Sequence, residues 1–304
     1  MTGPVRETLT PDICVIGAGS AGLTVAAAAS SFGHDVVLIE RGKMGGDCLN
    51  YGCVPSKSLI AAAKHAYMAR DGARFGIHAD PKIDYGAVHA HIHGVIAAIA
   101  PHDSVERFEG LGVRVIKAHA RFVDGETVEA DGVRIRARRF VVATGSRPIV
   151  PPIPGLGDVD PLTNESVFDL TALPPRLAVI GAGPIGAELG QAFSRLGSSV
   201  TVATGETLLA REDPEAVTVV RRQIEADGVT LMENAAVERC ERNAEGVLLT
   251  LADGRTVVAD SVLVAVGRAP NVEDMGLEAA GIAYAKSGIT VDKGLRTTNR
   301  RVFA

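Results

Sequence analysis

Asp-Ile-Cys-Val-Ile-Gly-Ala-Gly-Ser-Ala-Gly, residues 12–22, is the stretch that decides the fold of this chain. Its apolar first half, residues 12–16, predicts a buried parallel strand, and the apolar run 23–31 predicts a helix. Three glycines with the spacing G-x-G-x-x-G stand between them: Gly17, Gly19 and Gly22. The first makes a tight turn, the second lets the backbone approach a pyrophosphate, and the third lets the helix pack closely on the strand. The stretch therefore predicts a dinucleotide-binding unit.

An acidic residue completes this first unit. The run 35–39 predicts the second strand, which ends at Glu40. A carboxylate about 20 residues after the first glycine can accept hydrogen bonds from ribose hydroxyls. The strand, the glycines, the helix and the acid occur in the required order, which distinguishes the unit from a chance match to the glycine spacing alone.

The chain then repeats this unit. Residues 176–196 predict a strand, a glycine turn and a helix, and the glycines have the same spacing: Gly181, Gly183 and Gly186. Gly181 stands 164 positions after Gly17, and the same offset maps Glu40 onto Thr204 without a gap. A duplicated unit predicts two dinucleotides, which we take to be a flavin and a nicotinamide. Because Thr204 is not acidic and no arginine takes its place, the preference between NADH and NADPH stays open.

A pair of cysteines lies in the stretch 45–57, GGDCLNYGCVPSK. On an undistorted helix Cys48 and Cys53 would be too far apart for a disulfide, which needs Cα atoms about 4.4–6.8 Å apart. Three glycines let the backbone bend enough to close that gap: Gly45, Gly46 and Gly52. The alanine-rich run 58–70 predicts a helix, whose N-terminus favours a reactive thiolate. The stretch thus predicts a redox-active pair at a helix N-terminus.

Two alternatives for this cysteine pair stay open. The first is two unrelated buried thiols, since free cysteine is commonly buried. The second is a structural zinc or mercury site, although two ligands alone are too few for tetrahedral zinc.

Composition narrows the class of protein. A length of 304 residues predicts about two domains. A net charge of −5 argues against nucleic acid as the main partner, and no basic patch indicates a membrane surface. The four cysteines are too few for a secreted disulfide framework, and residues 1–12 lack the apolar run of a signal peptide. We therefore predict a cytoplasmic protein that has no membrane partner.

The remaining segments predict helices and antiparallel strands. Residues 113–140 and 211–260 contain alternating apolar and polar runs that are typical of strands, and 148–154 is a proline-rich linker. Three histidines fall in a predicted helix, where only His89 and His93 share a face. Because no cysteine or carboxylate cluster accompanies them, we predict no metal site.

Together these pieces resemble the flavin-dependent pyridine nucleotide–disulfide oxidoreductases, the family of dihydrolipoamide dehydrogenase, glutathione reductase and mercuric reductase. The resemblance covers essentially the whole chain, and its most specific element is the stretch 45–57. The paired glycine motifs, ATGSRP at 143–148 and VGRAPN at 266–271 add to it. REDPE at 211–215 and the LNYGC form of the cysteine motif favour mercuric-reductase-like members. The resemblance implies an α/β fold with two Rossmann-like domains, the second inserted in the first, and antiparallel β-meanders beside the parallel sheets.

The resemblance also implies the domain boundaries. Residues 1–150 would form an FAD-binding domain, 151–271 an NAD(P)-binding domain, and 272–304 the start of the segment that returns to the FAD domain. In members of the family, the sequence that corresponds to 298–304 is followed by Gly-Asp and then by a dimerisation domain. That domain supplies a His–Glu pair to the active site of the partner subunit. We therefore expect the chain to be a fragment of a homodimeric protein, unable by itself to reduce a disulfide at the family's rate.

Carried over residue by residue, the resemblance implies a path for electrons. Hydride would pass from NAD(P)H to FAD, and two electrons would then pass to a Cys48–Cys53 disulfide. Cys53 would be the sulfur beside the flavin, and Cys48 the sulfur that attacks the substrate. Lys57 would sit by the flavin ring and pair with Glu188. The other implied cofactor-binding residues are Gly17, Gly19, Gly22, Glu40, Gly45, Gly46, Ala120, Thr144, Gly145, Gly181, Gly183, Ile185, Gly186, Thr204, Val237, Gly267 and Arg268.

The substrate and two functional alternatives remain open. Asp47 and Tyr51 depart from the family's cysteine motif, which usually has a threonine and a small aliphatic residue there. The substrate could be a disulfide, another small molecule or a mercuric ion. One alternative is a diaphorase-like flavoprotein that passes electrons to quinones, dyes or oxygen. The other is a non-catalytic nucleotide-binding or redox-sensing module.

Overall fold

The computed structural model describes residues 5–304. Its helices are α1 Ser20–Ser31, α2 Gly46–Asn50, α3 Cys53–Asp71, α4 Tyr85–Ile99, α5 Val105–Gly110, α6 Pro184–Leu196 and α7 Pro214–Ala226. Its strands are β1 Glu7–Leu9, β2 Ile13–Ile16, β3 Val36–Ile39, β4 Arg114–Ile116, β5 Arg121–Phe122, β6 Val128–Ala130, β7 Val133–Ile135, β8 Arg139–Val142, β9 Ser146–Pro148, β10 Arg176–Ile180, β11 Ser199–Ala203, β12 Thr230–Met232, β13 Val237–Asn243, β14 Gly246–Leu251, β15 Thr256–Ala259, β16 Ser261–Val264, β17 Arg268–Pro270, β18 Tyr284–Ala285, β19 Gly288–Ile289 and β20 Val302–Phe303.

The chain divides into two compact units, each made of more than one segment. Unit 1 comprises Met1–Asn50, Ile96–Arg147 and Ala269–Ala304. Unit 2 comprises Tyr51–Val95 and Pro148–Arg268.

Unit 1 is built on a five-stranded parallel sheet in the order β20-β8-β2-β3-β4. β2 and β3 are buried on both faces, which explains why they read as continuous apolar runs in the sequence. Cys14 of β2 is fully buried, in agreement with the prediction that it belongs to the core. The second sheet of the unit, β1-β7-β6-β5, contains the antiparallel hairpins that the alternation in 113–140 predicts.

Unit 2 repeats this layout with a parallel sheet in the order β12-β11-β10-β16. Between β12 and β16 the chain forms a three-stranded antiparallel sheet, β13-β14-β15. Buried residues of this sheet and of the parallel sheet belong to one apolar core. Cys240 of β13 is buried in that core. Its pKa is raised because burial disfavours the thiolate.

The two parallel sheets have the same register at their first strand pair. Ile16 of β2 lies opposite Ile39 of β3, and Ile180 of β10 lies opposite Ala203 of β11. Both members of the second pair stand 164 positions after those of the first, so the offset read from the glycines holds for the strands as well. The structure thus bears out the duplicated unit.

Residues 51–95 belong to unit 2 of the structure, whereas the sequence analysis included them in the predicted domain 1–150. The reason is packing within unit 2. Helix α3 packs along α6, Tyr85 stacks on Phe193 with ring centroids 6.1 Å apart, and Arg195 lies over the ring of Tyr67 at 4.4 Å. The assignment of FAD and NAD(P) to particular segments stays a prediction.

Candidate functional site

The first glycine turn, in unit 1, accepts only glycine at two of its positions. Gly17 has φ +105°, and a Cβ there would lie 2.3 Å from the carbonyl oxygen of Ala143. A Cβ at Gly22 would lie 1.8 Å from the carbonyl oxygen of Gly17, so α1 can sit close to the turn only without one. Gly19 differs, because the nearest atom to its Cβ position is the Cα of Gly46, 3.9 Å away. The middle glycine therefore leaves room at the N-terminus of α1, which fits a pyrophosphate.

Glu40 closes over this turn from the end of β3. Its carboxylate accepts a hydrogen bond from the backbone N–H of Ala18 at 2.6 Å and another from that of Gly42. These bonds fix the carboxylate beside the glycine turn. A carboxylate has about four acceptor sites, so two backbone bonds leave it able to accept from ribose hydroxyls.

A cavity in unit 1, whose empty space together with its solvent-open mouth is about 420 Å³, brings together four of the predicted FAD-binding residues. Its lining includes Gly17, Glu40, Ala120 and Thr144. A second cavity, whose empty space together with its wide solvent-open mouth is about 510 Å³, shares Thr144 with the first and adds Gly145. The chain positions of these residues are far apart, yet they line adjoining space at the carboxyl ends of β2, β3 and β8, which is where open α/β sheets bind ligands.

Sequence reasoning missed Asn271, which lines both cavities. Its side-chain amide donates to the carbonyl of Thr144 at 2.9 Å, and its own carbonyl accepts from the Thr144 hydroxyl at 2.8 Å. Asn271 belongs to the VGRAPN motif that carries part of the resemblance. That motif was the available signal, but nothing in it indicates a contact with Thr144.

Arg147 and Glu273 form a second link between the same two segments. The guanidinium donates to both carboxylate oxygens, each at 2.9 Å. These bonds lower the pKa of Glu273 to about 2, because Arg147 stabilises the charged form. Glu273 lines the first cavity, as does His119, whose Nε2 lies 3.0 Å from the carbonyl oxygen of Asp274.

The second glycine turn, in unit 2, has the same construction as the first. Gly181 has φ +107°, and a Cβ there would lie 2.5 Å from the carbonyl oxygen of Ala265. A Cβ at Gly186 would lie 2.0 Å from the carbonyl oxygen of Gly181. Gly183 has no neighbour within 4 Å of its Cβ position. The N-terminus of α6 thus has open space before it, as the N-terminus of α1 does, and fits a second pyrophosphate.

The other residues predicted for the nicotinamide cofactor are scattered over unit 2. Thr204 follows β11, and its hydroxyl accepts from the N–H of Glu206 at 3.3 Å. Val237 is largely buried in the core of the unit, and Ile185 is half-buried on α6. The carbonyl of Gly267 accepts from the N–H of Ile149 at 3.0 Å. Arg268 donates to the side chain of Asn164 at 3.0 Å.

The cysteine stretch forms two helices where the sequence predicted one. Cys48 lies within the short helix α2 and is half-buried, whereas Cys53 is the exposed first residue of α3. The prediction that both cysteines stand at the N-terminus of the helix around 58–70 was therefore wrong for Cys48. Gly45 and Gly46 have φ +81° and +55° but precede both cysteines, whereas Gly52, which lies between the cysteines, has φ −130°; the predicted closing of the gap between the sulfurs stays a prediction. The disulfide between the cysteines stays a prediction.

Lys57 and Glu188 face each other across the packed helices α3 and α6. The Lys57 Nζ lies 3.5 Å from both carboxylate oxygens of Glu188. Their side chains are 64% and 44% exposed, so solvent screens the pair and its contribution to stability is small. The structure contains the pair that the resemblance implied, while its role beside a flavin stays a prediction.

The two histidines that were expected to share a helix face both lie on α4. The rings of His89 and His93 lie 4.3 Å apart, which agrees with the expected shared face. His93 Nε2 lies 3.1 Å from the carbonyl oxygen of Phe168. Across the described range, no three histidine, cysteine or acidic side chains are placed to hold a metal ion. None of the helices described in that range has the length and apolar character to span a membrane.

Comparison with known protein families identifies the family to which the chain belongs. A family model for pyridine nucleotide-disulphide oxidoreductases matches residues 11–304. The chain belongs to the pyridine nucleotide-disulphide oxidoreductase family. Membership confirms the resemblance read from the cysteine stretch and the paired glycine motifs. It also confirms, for the family, the prediction of FAD and NAD(P)H as cofactors.

Several members of this family resemble the chain closely. It is 36% identical over 299 residues to a mercuric reductase of Lysinibacillus sphaericus. The aligned region covers 96% of this chain and 55% of that protein. It is 36% identical over 304 residues to a mercuric reductase of Streptomyces lividans. Here the aligned region covers 96% of this chain and 64% of that protein. The chain therefore spans about half to two thirds of the length of these curated relatives.

Solved structures agree with the fold. The HOCl-induced flavoprotein disulfide reductase RclA from Escherichia coli superposes with a TM-score of 0.85 and 28% identity, over 96% of this chain and 65% of that one. LpdA from Mycobacterium tuberculosis superposes with a TM-score of 0.86 and 31% identity, over 97% of this chain and 67% of that one. The predicted α/β class with Rossmann-like units is confirmed.

Proposed function

We propose that this pyridine nucleotide-disulphide oxidoreductase is an FAD-dependent enzyme that uses NAD(P)H to reduce a Cys48–Cys53 disulfide. Through these cysteines it would reduce a disulfide or a metal–thiolate substrate. The observation that carries the proposal is the pair of matched glycine turns before two helix N-termini, in which the Cβ position of Gly183 has no neighbour within 4 Å and that of Gly19 has only the Cα of Gly46, at 3.9 Å. Two such turns in one chain provide for two dinucleotides, and the cysteine stretch provides the group that is reduced.

The residues of each unit have distinct tasks in this proposal. When bound, FAD supplies the transfer of two electrons between a nicotinamide and a disulfide. In unit 1, Glu40 would accept hydrogen bonds from the ribose hydroxyls of FAD beside the first glycine turn. Thr144 and Gly145 line the second cavity, which adjoins this turn. In unit 2 the open turn around Gly183 receives the pyrophosphate of the nicotinamide cofactor.

The cysteines perform the exchange step. In the reduced state a Cys48 thiolate attacks one sulfur of the substrate disulfide, and the other substrate sulfur leaves as a thiolate that takes up a proton. The Cys53 thiolate then attacks Cys48 in the resulting mixed disulfide, and the second substrate thiol leaves. The Cys48–Cys53 disulfide is formed again, and the two electrons have passed to the substrate.

The relatives support both substrate classes. Several of them are named mercuric reductases, and RclA is named a flavoprotein disulfide reductase. The segment 211–215, REDPE, and the LNYGC form of the cysteine motif favour the mercuric class. A mercuric ion held by thiolates would react with the same sulfur as a disulfide would, that of the half-buried Cys48.

Counting thiols after reduction tests this function. The protein is purified, its FAD content is measured, and it is mixed without oxygen with one equivalent of NADH or NADPH. We expect alkylation and mass analysis to find two new thiols, at Cys48 and Cys53, and none in the Cys53→Ser variant. Cys240→Ser removes a buried thiol elsewhere and should leave the two new thiols in place.

Two other results would count against this reading. Oxidation of NAD(P)H by a dye, with no new thiols, would favour the diaphorase-like alternative. Binding of nucleotides without any oxidation of NAD(P)H would favour the non-catalytic module.

We further propose that the full-length protein acts in the cytoplasm as a homodimer. The family resemblance supports the dimer, because its dimerisation domain supplies part of the active site. A catalytic rather than structural cysteine pair supports the cytoplasm, where lasting structural disulfides are rare. Analytical ultracentrifugation of the full-length protein and fractionation of cells test the two statements separately.

A further inference from the structure

Asn164 is a buried amide that contacts the peptide chain between the two cysteines. Only 5% of the residue is exposed. Its Nδ2 donates to the carbonyl oxygen of Tyr51 at 3.1 Å, and its Oδ1 accepts from Nη1 of Arg268 at 3.0 Å. All three residues belong to unit 2. One side chain thus joins the cysteine stretch to the VGRAPN motif.

The position of Asn164 is held firmly by the sheet of unit 2. Leu162 adds to the free edge of β16: its N–H donates to Val262 at 2.7 Å, and its carbonyl accepts from Val264 at 2.8 Å. The next residues form a tight turn, in which the N–H of Thr163 donates to the Ser166 hydroxyl at 3.1 Å. Asn164 therefore stands at the carboxyl end of β16, the edge at which open α/β sheets bind their ligands.

The bond to Tyr51 acts on the residue pair that leads into Cys53. Tyr51 and Gly52 separate α2 from α3, and neither belongs to a helix. The carbonyl of Gly52 accepts the N–H of Ser56 at 2.9 Å, so it is already part of the first turn of α3. The Tyr51 carbonyl lies outside that turn, and the amide of Asn164 satisfies it. Losing this bond would remove one restraint on the peptide immediately before Cys53.

We propose that Asn164 is a positioning residue for the redox pair: by holding the Tyr51 carbonyl against the sheet edge, it favours closure of the Cys48–Cys53 disulfide. The proposal rests on the proposed function, since it assumes that these cysteines form a disulfide. The physical reason is conformational entropy. A loosened peptide gives the dithiol state many conformations in which the sulfurs are apart, whereas the disulfide state is already closed by its covalent bond.

The test is the equilibrium between the full chain and dithiothreitol redox buffers, read by alkylation and mass analysis. For Asn164→Ala we expect the equilibrium constant for disulfide formation to fall about threefold, which is less than the roughly fivefold effect of a whole buried hydrogen bond, because both redox states lose the bond and only the dithiol state gains conformations. Asn164→Asp keeps the size of the side chain and the oxygen that faces Arg268, but it has no N–H for the Tyr51 carbonyl. The equilibrium constant for disulfide formation should therefore fall by a similar factor in this variant. This second variant carries the test if the alanine variant does not fold.

Ser198→Ala is the matched control. Ser198 is also 5% exposed, lies in unit 2, and donates its hydroxyl to the carbonyl of Pro174 at 2.7 Å. Its replacement removes a buried hydrogen bond of similar kind, so thermal stability should fall while the disulfide equilibrium stays as in the unaltered chain. Thermal unfolding of all variants shows that the comparison is made between folded proteins.

The outcomes separate this inference from the proposed function. If the unaltered chain forms no Cys48–Cys53 disulfide in any buffer, the proposed function fails and this inference with it. If the disulfide forms but both Asn164 variants share the unaltered equilibrium constant, the inference alone is wrong. An equal shift in Ser198→Ala would also overturn it, because general loosening would then explain the effect.

Discussion

Thr144 and Asn271 exchange hydrogen bonds in both directions although 127 positions separate them. The Thr144 hydroxyl donates to the carbonyl of Asn271, and the Asn271 amide donates to the carbonyl of Thr144. A backbone bond from the N–H of Asn271 to the carbonyl of Gly145, at 2.9 Å, adds a third link. The segment after β8 and the segment around β17 are thereby held together along the two cavities of unit 1.

Replacing Asn271 should weaken FAD binding more than it weakens the fold. Asn271→Ala removes one of the three links and also the exposed bond that Arg147 donates to Oδ1 of Asn271 at 3.2 Å, so we expect the free energy of unfolding to fall by about 1 kcal/mol. The walls of both cavities would loosen, and we expect the Kd for FAD to rise about tenfold, which corresponds to about 1.4 kcal/mol. Flavin fluorescence titration of the FAD-free protein measures this constant.

Asn243→Ala is the control for this change. Asn243 lies on the exposed β13–β14 turn, where its side chain accepts from the N–H of Glu245 at 2.9 Å. Its loss should leave the Kd for FAD unaltered. An unchanged Kd in Asn271→Ala would show that the cavities of unit 1 are not where FAD binds.

The Arg147–Glu273 pair should make stability depend on pH in the acidic range. The folded-state pKa of Glu273 is lowered from 4.5 to about 2, because Arg147 bonds to its carboxylate. The stabilisation is therefore present above pH 4.5 and is lost as the pH falls towards 2. We expect the difference in Tm between the unaltered protein and Glu273→Gln to be constant above pH 5 and to shrink below it. Because the carboxylate is exposed, the difference will be small.

Glu238→Gln, on the exposed side of β13, serves as the comparison for this pH series. A Tm difference for Glu273→Gln that grows as the pH falls would contradict the assignment of the sign. Differential scanning calorimetry in buffers of constant ionic strength gives the required values.

Two glycines of the second turn should respond to alanine in opposite ways. Gly183 has φ −73° and open space around its Cβ position, so Gly183→Ala should keep its Tm. The new methyl group would occupy the space that fits a pyrophosphate, and we expect the Kd for NAD⁺ and NADP⁺ to rise at least about tenfold. Gly186→Ala would place a Cβ 2.0 Å from a carbonyl oxygen and should lower the free energy of unfolding by about 3 kcal/mol.

Isothermal titration with NAD⁺ and NADP⁺, together with thermal unfolding, checks both variants. The pair is its own control, since the change is the same and only the surroundings differ. Nucleotide binding in Gly183→Ala at the unaltered affinity would show that this helix N-terminus does not receive the cofactor.

Lys57 and Glu188 should matter to electron transfer and hardly at all to stability. Both side chains are substantially exposed and their atoms lie 3.5 Å apart, so either replacement should change the free energy of unfolding by less than about 1 kcal/mol. We expect Lys57→Met and Glu188→Gln to alter the absorption spectrum of bound FAD and to slow its reduction by NAD(P)H. Stopped-flow spectroscopy measures both effects.

A control for this pair is available on the surface of unit 2. Arg239 and Glu241 form an exposed pair on β13 at 2.9 Å, and Glu241→Gln removes a charge from a similar setting. That variant should leave the flavin spectrum unchanged. If the Lys57 and Glu188 variants also leave it unchanged, the pair is not beside the flavin.

Features that depend on near neighbours in the chain were predictable. The positive φ of Gly17 and Gly181 follows from their place in the glycine spacing, and Cys53 does open a helix. The position of Cys48 could not be predicted from the sequence, because Cys48 lies in α2, a short helix in a glycine-rich stretch. The φ values of Gly45 and Gly46, which a local pattern does not specify, decide where that helix begins.

Distant hydrogen bonds account for most of what sequence reasoning missed. Asn271 and Asn164 are ordinary asparagines in the sequence, and their partners stand 127 and 113 positions away. An amide side chain can donate and accept in many settings, so its residue type does not indicate which carbonyl it will meet. Only the folded sheets bring these partners within about 3 Å of each other.

The sequence by itself determined the two glycine turns, their duplication at a constant offset, and the glycine-flanked stretch that carries the two cysteines. These features are local, and their physical basis is the backbone freedom of glycine and the 2.0 and 3.6 periodicities of strand and helix. The tertiary structure alone decided which side chains meet at the carboxyl ends of the parallel strands. Those contacts depend on the order in which the strands pair, and pairing joins residues more than a hundred positions apart in the chain.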